Sequence, residues 1–173
     1  MIVTPDPGPV GAPTSKDAAG FLAPSAVRFT GAVGERAEAP LPAPAGGETP
    51  AGRRIAPGDV LRWFVHPQLD AAQTWGATWV AVDLLLDDGS RLSDHAPRDQ
   101  YGNLATAPGI GEARILHPDQ WNDVQVDLTA VAGRTVTEVL LVLDAPADPD
   151  ADLLDEVEDS PPEAPEVTGW VDG

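Results

Sequence analysis

The stretch NDVQVDL, residues 122–128, alternates Val124, Val126 and Leu128 with Asp123, Gln125 and Asp127. A period of two sends the apolar and polar side chains to opposite faces of an extended strand, which no helix can do with this pattern. DVLRWFV at 59–65 repeats it, with Leu61, Trp63 and Val65 on one face and Val60, Arg62 and Phe64 on the other. ATWVAVDLLL at 77–86 places Val80, Val82, Leu84 and Leu86 on a wholly apolar face opposite Trp79, Ala81, Asp83 and Leu85. Further strands are predicted at ARILH (113–117), at TVTEVLLVLD (135–144) and, last, at TGWVDG (168–173). Apolar residues recur at two rather than at three and four, so no amphipathic helix is predicted. Many short strands with polar outer faces predict an all-β domain: an antiparallel two-sheet sandwich of jelly-roll type.

The flanks read differently. Residues 1–56 are rich in Pro, Gly and Ala, and APLPAPAGGETPAG cannot hold a helix or an interior strand because its prolines lack donors and fix φ. They are expected as a mostly disordered extension, from which the apolar island FLAPSAVRF (21–29) adds an edge strand, with the sandwich filling 57–173. From Asp144 to Glu166, both included, stand ten acidic residues and no basic one. A block of like charge repels itself, so 145–167 is expected as a solvated acidic loop.

Ten basic residues against twenty-eight acidic ones leave a formal charge of −18, a field that repels nucleic-acid backbones and anionic lipid headgroups. Nucleic acid is excluded as a partner on that ground. No run of about 18 apolar residues is present to span a bilayer, and the N-terminus lacks the basic start and apolar run of a signal peptide. There is no cysteine, which removes disulfides, thiolate metal sites and cysteine nucleophiles.

Taken in order, WVAVDLLLDDGSRLSD, DQYGN, DQWNDVQVDL, AGRTVTEVLLVLD and GWVDG resemble the galactose-binding-like β-sandwich that precedes the catalytic region in many actinobacterial glycoside hydrolase family 92 α-mannosidases. The resemblance covers about residues 59–173. It implies a non-catalytic, carbohydrate-associated module whose partner is a glycan or a neighbouring catalytic domain, extracellular if it belongs to a secreted hydrolase. The acidic insertion and the N-terminal extension depart from that pattern.

The candidate site is the long connection DDGSRLSDHAPRDQYGN, residues 87–103, and its continuation to Glu112. Asp88 and Gly89 predict a tight hairpin turn. Beyond them Asp94, His95, Arg98, Asp99, Gln100, Tyr101 and Asn103 are the residues expected to bind sugar hydroxyls, Tyr101 offering its ring face to a pyranose. Trp75 is the tryptophan expected to be exposed beside it; Trp63, Trp79, Trp121 and Trp170 are expected in the core. The competing reading has Asp94 and Asp99 bonding turn backbone N–H groups while Tyr101 packs the loop down. An oxygen-rich loop also suits a structural calcium ion, although no spacing matches a calcium-loop pattern and no ligand set can be named.

No catalytic site is readable. His66, His95 and His117 lack the spacing of a zinc site, and two of them precede proline, as extended chain ends do. GIGEAR (109–114) lacks the third glycine of a dinucleotide loop and is predicted to be a flexible turn. A structural spacer that binds no sugar is the alternative function, and a hydrolase in its own right the third.

Overall fold

A computed structural model describes residues 1–6, 8, 26–42, 50–69, 75–147 and 166–172. In chain order the strands are β1 (Ile2–Pro5), β2 (Val27–Ala32), β3 (Ala37–Pro40), β4 (Val60–Pro67), β5 (Val80–Leu86), β6 (Asn122–Asp127), β7 (Val136–Leu143) and β8 (Glu166–Asp172), with one helix, α1 (Ala107–Ala113). They form two antiparallel sheets, ordered β1-β2-β8-β4-β6 and β3-β7-β5. From β2 to β8 each connection crosses to the opposite sheet, so hydrogen-bonded neighbours are distant in sequence, as in a jelly roll. The chain is an all-β antiparallel sandwich, as its period-two runs predict.

The alternating rows meet in the core. Phe29, Trp63, Val65, Val124 and Val126 from the larger sheet belong to one buried cluster with Val82, Leu84, Leu141 and Leu143 from the smaller. Burial of side chains of this size contributes about 1.5–3 kcal/mol each.

Five features depart from the sequence reading. The sandwich begins well before residue 57: β1, β2 and β3 all lie within the segment expected as an extension. Val27–Phe29 of the apolar island enter a strand that lies between β1 and β8, so β2 is interior to its sheet rather than at the edge. Strand β5 starts at Val80, because Gly76–Thr78 form a 3-10 turn. GIGEAR is not a flexible turn, since Gly109 to Ala113 complete α1. ARILH is not a strand, since Ala113 ends that helix and Arg114 takes a left-handed conformation at φ 51°. The helix escapes a periodicity search because it is only seven residues long and carries two glycines and a proline; the Thr106 side chain caps it, accepting from the Gly109 N–H at 3.2 Å. Of the acidic block, residues 148–165 lie outside the described residues.

The helix also explains why both faces of β5 are buried. Leu92, Ala105 and Ala107 lie beside Ala81, Asp83 and Val142, and the apolar ones among them join the same buried cluster as Val82 and Leu141. A Cβ on Gly111 would overlap the Trp79 ring, so only glycine admits this approach. Much of the long connection after β5 is therefore a cover for the smaller sheet.

Candidate functional site

After β5 the chain turns as DDG predicts. Gly89 has φ 82°, and Leu86 N–H donates to the Ser90 carbonyl at 2.9 Å. The return arm of this hairpin is a single bridge, Leu85 to Arg91, because the chain then enters a 3-10 turn at Leu92–His95. Buried Asp83 anchors that turn by accepting from Ser93 N–H (3.0 Å) and Ser93 Oγ–H (2.7 Å). Asp94 accepts from the Arg91 N–H at 2.8 Å, a turn bond. Arg91 in turn grips Glu38 of β3 through two bonds of 2.8 and 2.9 Å, which hold the Glu38 carboxyl below its ordinary range.

The candidate residues then part company. A small hairpin is closed by the Arg98–Leu104 bridge, with Asp99 N–H donating to the Asn103 carbonyl at 2.9 Å and Gly102 N–H to the Asp99 carbonyl at 3.0 Å. Gly102 supplies the positive φ, 89°, that a three-residue hairpin loop needs. Asp99 is 7% exposed, and its Oδ1 accepts from the N–H groups of Tyr101 (2.9 Å) and Asn103 (2.8 Å). Asn103 Nδ2 donates to Asp99 Oδ2 at 3.2 Å, and Arg98 Nη1 to the Gly102 carbonyl at 2.6 Å. Asp94, Arg98, Asp99 and Asn103 thus build the loop. Tyr101 does not pack it down; the residue is 70% exposed.

An isolated bridge from Asp99 to Val126 and the Gln100 side chain fasten this hairpin to the outer edge of β6. Gln100 Nε2 donates to the Asp123 carbonyl at 2.7 Å and its Oε1 accepts from the Gln125 N–H at 2.9 Å, so a side-chain amide completes the pattern of a neighbouring strand. Facing it across the end of β6 is the turn at 117–120, held by buried Asn122. Asn122 accepts from the His117 N–H at 2.9 Å and donates to the carbonyls of His117 and Gln120, both at 2.9 Å. Asp119, at φ 58°, ties the same turn to the end of β4: its N–H donates to the Pro67 carbonyl at 2.7 Å.

Between these walls lies a groove of about 350 Å³. Asp99, Gln100 and Tyr101 form one side, His117 and Gln120 the other, over a floor that includes Leu116, Asn122, Asp123 and Val124. The Asp123 carboxylate is fully buried and paired with Arg62 at 2.8 Å, and Asp99 is engaged by its own turn, so neither is free to serve as a catalytic acid or base. Among the described residues, the side chains of Tyr101, His117 and Gln120 hold no hydrogen bond, and these three are what the groove offers a ligand.

Of the eight residues expected from the sequence to bind a ligand, the structure brings Asp99, Gln100 and Tyr101 to the groove and leaves Trp75, Asp94, His95, Arg98 and Asn103 outside its lining. Trp75, expected to be exposed, is half-buried at the start of the Gly76–Thr78 turn, where its carbonyl accepts from Thr78 Oγ1 at 2.6 Å. His117 and Gln120 were not among the expected ligands. A signal was present in HPDQWN, a proline–aspartate turn immediately before a period-two strand.

A second cluster lies on the outer face of the larger sheet. His66 meets the rings of Trp121 and Trp170 edge-on, at 5.4 and 5.7 Å between centroids. Arg28 lies over Trp170, 6.0 Å from its centroid. Burial pushes the His66 imidazole below its ordinary pKa, against a smaller opposing pull from backbone hydrogen bonds and the Asp119 charge. Trp121 is buried and Trp170 half-buried, both against this face.

Among the described residues no group of three or more His, Asp or Glu side chains converges to hold a metal ion, and no helix is long and apolar enough to cross a membrane. No family model matches the chain, and no curated protein is similar to it.

Proposed function

We propose that this sandwich is a non-catalytic carbohydrate-binding module, accessory to a glycoside hydrolase of the α-mannosidase kind that its sequence resembles. The observation that carries the reading is the Tyr101 ring, open to solvent on a hairpin held by Gln100 at the rim of a polar groove. A pyranose presents an apolar face and a rim of hydroxyls, so its recognition calls for an aromatic plane beside hydrogen-bonding side chains. Because both walls are fastened to β6 before any ligand arrives, little ordering entropy opposes binding. The engagement of both groove carboxylates in internal bonds supports binding over hydrolysis.

Calorimetric or NMR titration with mannose, galactose and their short oligomers tests the reading. Tyr101→Ala is expected to weaken binding by about 1 kcal/mol, the contribution of a well-placed aromatic contact, with the melting temperature nearly unchanged. Aryl mannosides are expected to survive incubation with the chain. If no sugar shifts any resonance at millimolar concentration, the domain is a spacer or a docking surface for a neighbouring domain.

A further inference from the structure

We infer that the specificity of this groove resides in His117 and Gln120, and that its ligand is a neutral pyranose bearing adjacent free hydroxyls. The inference rests on the sugar-binding reading and deepens it. The polar side chains of the groove fall into two groups. Asp99, Gln100, Asn122 and Asp123 are engaged in internal bonds that build the walls. Tyr101, His117 and Gln120 hold none among the described residues.

That division decides the ligand chemistry. Among the described residues no arginine or lysine lines the groove, and the chain's formal charge is −18, so a uronate, sulfate or phosphate finds no cationic partner among them and meets a repelling field. The His117 ring nitrogens and the Gln120 amide offer hydrogen-bonding groups to adjacent hydroxyls, which themselves donate and accept. The groove volume, about 350 Å³, is near the lower end of the range for small-molecule sites, roughly 300–1,000 Å³, and so suits a short ligand. Tyr101 supplies area, which every epimer shares. His117 and Gln120 read hydroxyl positions, where epimers differ. Both belong to the turn that Asn122 clamps, so their backbone is set in advance.

The test is a heteronuclear NMR titration of the full chain and of His117→Ala, Gln120→Ala and Tyr101→Ala, using methyl α-mannoside, methyl α-glucoside, methyl β-galactoside and glucuronate as probes. Their melting temperatures are measured alongside; neither the His117 nor the Gln120 side chain bonds the described fold, so both alanine variants are expected to remain folded. The expected result is that the neutral glycosides bind with shifts at residues 101, 117 and 120, one of them most tightly, and that glucuronate does not. Each of His117→Ala and Gln120→Ala should weaken that glycoside about fivefold, the value of one net hydrogen bond, and narrow the spread among epimers. Tyr101→Ala should weaken all neutral probes alike. If sugars bind but the His117 and Gln120 variants keep wild-type affinity and epimer ranking, the inference falls while the sugar-binding reading stands. If no probe binds, both fall.

Discussion

Arg62 on β4 grips Asp123 on β6 with Nε and Nη2, each 2.8 Å from a carboxylate oxygen, although Asp123 is fully buried and Arg62 is 41% exposed. Arg62 also lies over the Phe64 ring, 4.9 Å from its centroid. Bidentate, charge-assisted pairs are among the stronger hydrogen bonds. Asp123→Ala is expected to destabilise the fold by about 2 kcal/mol, less than the ~3–5 kcal/mol of a wholly buried pair because the abandoned arginine recovers solvent. A double-mutant cycle with Arg62→Ala, followed by urea unfolding, measures the coupling; a value below about 0.3 kcal/mol would mean that the pair is incidental.

The Gln100 amide seals the outer edge of β6. Gln100→Ala removes two hydrogen bonds, worth about 0.5–1.5 kcal/mol each, and leaves strand backbone groups open to another chain. The variant should melt earlier and show stronger concentration dependence in sedimentation velocity than the parent. Identical sedimentation and melting would show that β6 needs no seal.

Two glycines separate space from conformation. Gly111→Ala drives a methyl group into the Trp79 ring, and overpacking of this kind costs about 1–3 kcal/mol; the near-ultraviolet circular dichroism of the tryptophans should change with it. Gly89→Ala meets open space at φ 82° and should cost only the left-handed backbone, about 1–2 kcal/mol, with an unaltered aromatic spectrum. Equal aromatic spectra for the two variants would contradict this distinction.

His66 predicts the pH dependence. Burial lowers its folded pKa below the unfolded value of about 6.5, so as pH falls past that value the unfolded chain binds the proton first and stability declines. Stability should be flat above about pH 7.5, decline through the region just below 6.5, and level off once pH is below the folded value. The carboxylates of Glu38, Asp59, Asp88 and Asp127, held low chiefly by hydrogen bonds, act in a separate window, losing their contribution only as pH falls below about 4. His66→Phe keeps an aromatic ring between Trp121 and Trp170 and should abolish the upper limb alone. If that limb persists in the variant, another group produces it.

What the sequence by itself determined is what neighbouring residues decide among themselves. Alternation in DVLRWFV, WVAVDLLL and NDVQVDL dictates which side chains face inward, and Asp88–Gly89 dictates a turn, because pleat and φ are properties of a few consecutive residues. The sandwich and the inner rows of β4, β5 and β6 were legible for that reason. Only the tertiary structure decided where polar groups find partners. Gln100 bonds a carbonyl 23 residues away, and Arg62 a carboxylate 61 residues away, contacts that no local pattern encodes. Those partners turn Asp99 and Gln100 from apparent ligands into scaffold and leave His117 and Gln120 facing the groove. The same reason hid α1: seven residues that include two glycines and a proline hold their shape in a capped turn that brings Gly111 against Trp79, and the tryptophan stands 32 positions before that glycine. Side-chain alternation is local, whereas hydrogen-bond satisfaction and close packing are settled only when distant strands meet.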